Sequence, residues 1–319
     1  MNRIDRRGFG SALVGLIAGG MAPAPRAMAR ADRPVLRMRI GSSLFSGIKR
    51  CQAVTIVKPV AALVAERAEC DLDFAIHTVA REGDLDALGR ALVRGEYHMA
   101  GIWGLEFGWL RRQFPELQLL VSSRYRIDSN QSLVYARKGA FADIGDLRGK
   151  VIAQYAKFSL MEELYTGELL RSRSFDPAHF FRPSPEVYAN AKAAIKAIAA
   201  GKADCGVVDA ITYLNLTEEA PGLIKHLEVV ARTEDYPPRA IIGNPARFEE
   251  MRRGLWQTVG AATIGLGTDA QGQELIHKWQ VEGFDPPGTA NLARIEAAVK
   301  RFPRPVYDRR ILPPHPVTA

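Results

Sequence analysis

Apolar and polar positions alternate between two periods along this chain, and the alternation predicts an α/β protein. Leu36–Ile40 reads Leu-Arg-Met-Arg-Ile, apolar at every second position, as in a half-buried strand. A turn-rich stretch follows, Gly41-Ser42-Ser43-Leu44-Phe45-Ser46-Gly47. From Val54 to Arg67 the period lengthens, and Val57, Val60, Leu63 and Val64 share one helical face. Asp71–His77 returns to strand and Asp84–Val93 to helix. His98–Trp103 and Leu117–Ser122 are two further strands. Helices set between strands in this order predict a doubly wound unit. A second unit begins near Asp128, with strands over Ser132–Arg137, Val151–Gln154, Ala203–Val208 and Leu227–Arg232. Its helices are Ser159–Ser172 and Tyr188–Ala200. Tyr236-Pro237-Pro238 then breaks the chain before Arg239–Gly243. Helices over Met251–Gly265 and Ala290–Phe302 finish the pattern, and a proline-rich tail from Pro303 wraps the surface.

The first 31 residues do not belong to this pattern. Asp5-Arg6-Arg7-Gly8-Phe9 precedes a weakly apolar run from Gly8 to Met21 that holds five glycines. Small residues at Ala27-Met28-Ala29 and Ala29-Arg30-Ala31 suit a signal peptidase. The run is shorter than the ~20 residues a membrane span needs, so the segment reads as an export signal. Paired arginines before Gly-Phe resemble a twin-arginine signal. Cleavage is expected near Ala29–Ala31 and the mature protein in the periplasm.

With 319 residues, the chain has room for about two domains of roughly 150 residues each. Apolar residues make up 47% and charged residues 24%, which argues against a disordered, collagen-like or multi-span chain. The formal charge is +8, from 43 Lys+Arg against 35 Asp+Glu. Residues 1–31 supply five arginines and one acid, so the remainder carries 38 against 34, or +4. Basic runs longer than two residues are absent, which argues against a nucleic-acid partner.

Three motifs carry a resemblance. The first is Ala91-Leu92-Val93-Arg94-Gly95-Glu96-Tyr97-His98-Met99-Ala100-Gly101, a helix end, Gly-Glu, then a strand. The second is Asp143-Ile144-Gly145-Asp146-Leu147-Arg148-Gly149-Lys150-Val151-Ile152-Ala153. The third is Ala197-Ile198-Ala199-Ala200-Gly201-Lys202-Ala203-Asp204-Cys205-Gly206-Val207-Val208-Asp209. In this order the chain, over roughly residues 34–285, resembles the phosphate/phosphite/phosphonate-binding family of ABC-importer solute-binding proteins. The resemblance implies a type II periplasmic binding fold, with a ligand cleft between two doubly wound α/β domains. Residues 34–127 plus 234–319 would form lobe 1 and residues 128–233 lobe 2. The crossings would lie near Arg124–Asp128 and Thr233–Pro237. It implies a small-molecule ligand and an inner-membrane ABC permease as partners, with the binding protein a monomer.

Open α/β sheets bind ligands beyond the carboxyl ends of their strands, which selects the candidate site. After the first strand, Ser42, Ser43, Phe45 and Ser46 either offer hydroxyls to an anion or form a capping turn. Trp103 and Glu106 either face a ligand or pack and open the next helix. At the first crossing Arg124, beside Tyr125, either holds an anion in a fork or bridges the lobes. Tyr155-Ala156-Lys157-Phe158-Ser159 leads into a helix with Ser159 as its one Ser or Thr, where the family usually carries several to cradle phosphonate. Tyr188, Asn190 or Ala191 stands where the family often places a His before the Ala-rich helix. Asp209 either accepts from an amine or caps a helix, with Tyr213 one turn on.

Among familiar catalytic motifs, HExxH, G-x-S-x-G, the P-loop and CxxC are all missing. Six histidines are scattered without metal-ligand spacing, so no catalytic group, cofactor or metal is expected. Cys51 and Cys70 bracket one helix, whose ~20 Å length is too long for a disulfide. The missing motifs favour binding over catalysis, and the resemblance then implies capture of a small anionic or zwitterionic solute by lobe closure. A ligand-sensing protein working with a sensor kinase, and a periplasmic enzyme on the same fold, are the alternatives.

Overall fold

The structure, a computed structural model, describes residues 32–45, 50–77, 82–125, 130–156, 159–278, 281–304 and 311–312. The export segment, residues 1–31, lies outside the described residues, as do Ser46, Lys157 and Phe158. Among the described residues, eleven strands form two mixed sheets. The first contains β1 (Val35–Gly41), β2 (Asp71–His77), β3 (Met99–Trp103), β4 (Gln118–Tyr125), β10 (Arg239–Gly243) and β11 (Val281–Asp285), in the order β11-β4-β10-β3-β1-β2. The second contains β5 (Ser132–Arg137), β6 (Val151–Tyr155), β7 (Arg182–Tyr188), β8 (Cys205–Asp209) and β9 (Leu227–Arg232), in the order β7-β6-β8-β5-β9.

Strand β10 is the return from the second sheet to the first. It inserts antiparallel between β3 and β4, and Arg239 lies in register with Trp103. The two connecting stretches are tied together beside it. Tyr236 donates its N–H to the Asn130 carbonyl at 2.7 Å, and Asn130 Nδ2 donates to the carbonyls of Tyr236 and Pro237.

The inner strands β3, β5 and β8 are buried along nearly their whole length, as continuous apolar strands require. In β5, Val134 and Ala136 face one core cluster and Tyr135 the other. The first sheet's core recruits Met161, Leu164 and Tyr165 from α4 (Leu160–Ser172) and Ile211 from α7 (Ala210–Glu219). The second half of the chain thus packs directly on the first. Helix α3 (Gly104–Gln113) lies close against α12 (Thr289–Arg301), where a Cβ on Gly108 would come within 2.3 Å of Val299.

Four features depart from the periodicity. Arg182–Tyr188 is a strand despite Pro183 and Pro185, because β7 is an edge strand with no outer neighbour to lose. The helix expected from Tyr188 therefore begins at Ala191, capped by Asn190. The helix expected over Met251–Gly265 is two, α9 (Pro245–Met251) and α10 (Leu255–Gly265), parted at Gly254 with φ +73°. Ile311 and Leu312, expected with the first unit, are buried in a core cluster of the second sheet.

Candidate functional site

The first sheet presents a cation between aromatic rings. The Arg239 guanidinium carbon sits 5.1 Å from the Trp103 ring centroid and 5.5 Å from that of Tyr125. Tyr236 meets Trp103 edge-on at 5.5 Å. Trp103 Nε1 and Arg239 Nε are both buried without a hydrogen-bond partner among the described residues. The described residues supply no carboxylate to pair with Arg239. Ring faces stabilise a guanidinium, but they leave its in-plane N–H groups for an acceptor, and an oxyanion that offers two acceptor oxygens fits that fork. Sequence reasoning passed over Arg239 because Tyr-Pro-Pro read only as a break. A basic residue opening the strand that returns to the first sheet was the available signal.

The second sheet presents the opposite arrangement. Glu162, fully buried in the first turn of α4, accepts from Tyr155 Oη, from the Ser159 N–H at 2.5 Å and from the Asp209 N–H at 2.9 Å. Burial, then the neighbouring Asp209 charge, pushes its carboxyl up to about 8. Ser159 caps α4, its Oγ accepting from the Glu162 N–H. Asp209 caps α7, accepting the Thr212 N–H at 2.9 Å and the Thr212 hydroxyl at 2.6 Å. The Asp209 charge reaches Tyr125 and Tyr236 of the opposite wall, both of whose phenols burial raises.

The remaining candidates divide between the site and the scaffold. Glu106 is buried and accepts the Trp103 N–H at 2.9 Å, which is helix capping. Burial pushes its carboxyl up to about 7 against that N–H and Arg304. Arg124 is exposed and engages Asp285 at 2.6 Å and Glu282 at 3.6 Å on β11, so its charge is held within the first sheet's edge. Ser42 and Ser43 are half-exposed in one 3-10 turn at the end of β1, and Phe45 of that turn packs against the first core. Tyr188 and Tyr213 pack on the second sheet's core, the Tyr213 ring 6.2 Å from that of Tyr135. Lys157 and Phe158 lie outside the described residues. Cys51 is exposed, Cys70 and Cys205 are buried, and all three are free thiols.

Two mixed sheets, two tied crossings and a polar junction between them define a two-lobe periplasmic binding protein of the type II fold. The chain belongs to the periplasmic substrate-binding proteins of ABC phosphonate transporters, whose family model matches residues 52–292. Its fold is similar to that of PhnD1 from Prochlorococcus marinus in complex with methylphosphonate. That match has a TM-score of 0.65 at 12% identity and covers 84% of this chain and 97% of that one. A binding-protein component of an ABC phosphonate transporter from Pseudomonas aeruginosa is similar at TM-score 0.62 and 12% identity, covering 83% and 85%. The aliphatic sulphonate binding protein SsuA from Escherichia coli is similar at TM-score 0.52 and 12% identity, covering 84% and 86%. At such identities the likeness is one of fold. No curated protein matches the sequence.

Proposed function

We propose that this protein captures a small organic anion, of phosphonate, sulfonate or carboxylate type, with Arg239 as the charge that holds it. The observation that carries this reading is the Arg239 guanidinium, ringed by Trp103 and Tyr125, with a buried Nε that has no partner among the described residues. Glu106 and Asp209 hold N–H groups of their own helices. An amine on the ligand is therefore not needed to balance them. Residues 34–127 with 234–304 act as one lobe and 128–233 as the other. A ligand bridging them favours the closed state by its differential affinity, and an ABC permease reads that state.

The test is titration calorimetry with methylphosphonate, methanesulfonate and acetate on wild type and Arg239→Gln. Losing a charged hydrogen bond costs ~1.5–3 kcal/mol, so the variant should bind at least tenfold more weakly. Equal affinity in both proteins would remove Arg239 from the site, and binding of neutral sugars only would sink the anion reading. Residues 1–31 direct export through the twin-arginine route on the same proposal. The double variant Arg6→Lys, Arg7→Lys should lose its periplasmic pool, and a normal pool would refute that route.

A further inference from the structure

A cavity of about 100 Å³ lies in the first lobe, beside the Arg239 wall. It lies between the first sheet, α1 (Arg50–Arg67) and α10, is partly open to the outside, and is lined by apolar side chains such as Met38, Ile40, Val57, Val60, Leu266 and Phe284. Arg239 is the sole charged residue on its lining among the described residues, and Ser123 and Thr263 are its two hydroxyl groups. Thr263 donates its hydroxyl to the Val259 carbonyl at 2.8 Å. The register explains why cation and cavity meet. Residues two apart on a strand share a face, so Met99, Gly101 and Trp103 of β3 point the same way, as do Arg239 and Ile241 of β10. The rings that hold Arg239 thus stand on the sheet face that the cavity occupies.

Water is a poor occupant of such a space, because it needs two to four polar partners and this lining offers few. An apolar cavity of ~150 Å³ takes benzene, with six carbons, so one of this size takes a chain of about four. Resting on the anion reading, we infer that the ligand is an amphiphile. Its anionic head meets Arg239, and its unbranched alkyl tail of about four carbons fills the cavity beneath α1. The ligand class is then short-chain alkyl anions rather than compact oxyanions. A compact anion would satisfy Arg239 and leave the cavity as it is.

The experiment is a chain-length series on the purified protein. The n-alkanesulfonates from methyl to octyl form one arm and the n-alkylphosphonates a second, each titrated by calorimetry. Affinity should rise about fourfold per methylene up to butyl, then level off or fall at hexyl and octyl. Ala61→Leu places extra carbons in the cavity and should bring the butyl-to-methyl affinity ratio towards one. The better of the two arms identifies the head group. A flat series that still depends on Arg239 overturns the tail while leaving the anion reading intact. A rise that continues through octyl and ignores Ala61→Leu puts the tail outside the cavity and also overturns it. Failure of every anion to bind overturns both readings together.

Discussion

On the first-lobe wall of the cleft, Trp103 and Arg239 keep buried polar atoms that have no partner among the described residues. On the second-lobe wall, Tyr155, Ser159, Glu162, Asp209 and Thr212 donate to and accept from one another. An unpaired buried polar atom costs ~1–3 kcal/mol, a cost that a bound acceptor removes. A satisfied network has no such deficit and rigidifies what it joins. The difference teaches that exposure of polar residue types at strand ends is not enough to find a ligand contact. What matters is which of them the fold leaves unsatisfied. The second-wall network fixes the starts of α4 and α7, whose residues Met161 and Ile211 pack into the first lobe's core.

Substitutions that break this contrast should act on folding at one wall and on binding at the other. The largest effect is expected for Glu162→Ala, which strands three buried donors at once. Unfolding in urea should show a loss of about 3 kcal/mol or more. A loss under 1 kcal/mol would mean that the second-wall network carries little. Next is Ile311→Ala, which removes packing from the second lobe's core and should cost about 2 kcal/mol. An unchanged melt would show that residues 311–312 do not hold the tail to that lobe. Asp209→Ala deletes the α7 cap and should cost about 1 kcal/mol while anion affinity stays within twofold of wild type. If affinity falls tenfold and the melt is intact, Asp209 is a ligand contact and the contrast fails.

A pH slope tests the same buried carboxyls without a substitution. Burial raises Glu106 to about 7 and Glu162 to about 8, above the ~4.3 of an unfolded glutamate. The folded state therefore binds these protons more tightly. The stabilisation is complete below about pH 4.3 and is lost as pH rises through about 7 and about 8. Urea unfolding at pH 5.5, 7 and 8.5 should show falling stability across that range. The double variant Glu106→Gln, Glu162→Gln should flatten the fall. A wild-type stability that climbs over the same range contradicts the assignment.

Local signals carried much of the architecture. Strands Asp71–His77, Ser132–Arg137 and Leu227–Arg232 occupy the residues that their apolar patterns mark. Asp209 was legible as a possible cap and Glu106 as a first-turn residue, because a side chain within three positions of a helix start can reach its free N–H groups. Sequence alone could not choose between capping and ligand contact, since both use the same atoms. The edge position of β7, which lets two prolines sit in a strand, depends on the order of strands and not on their content. Arg124 and Arg239 pose the same problem more sharply. Both are arginines beside a crossing, and a sequence gives them equal standing. Pairing of β11 with β4 sets Asp285 and Glu282 against Arg124, whereas insertion of β10 beside β3 sets Arg239 against Trp103, with no acid paired to it among the described residues. Periodicity is a property of neighbours along the chain, so it decides which residues form strands and helices. The satisfaction of a charge is a property of neighbours in space, and the return of the chain from the second lobe decides it.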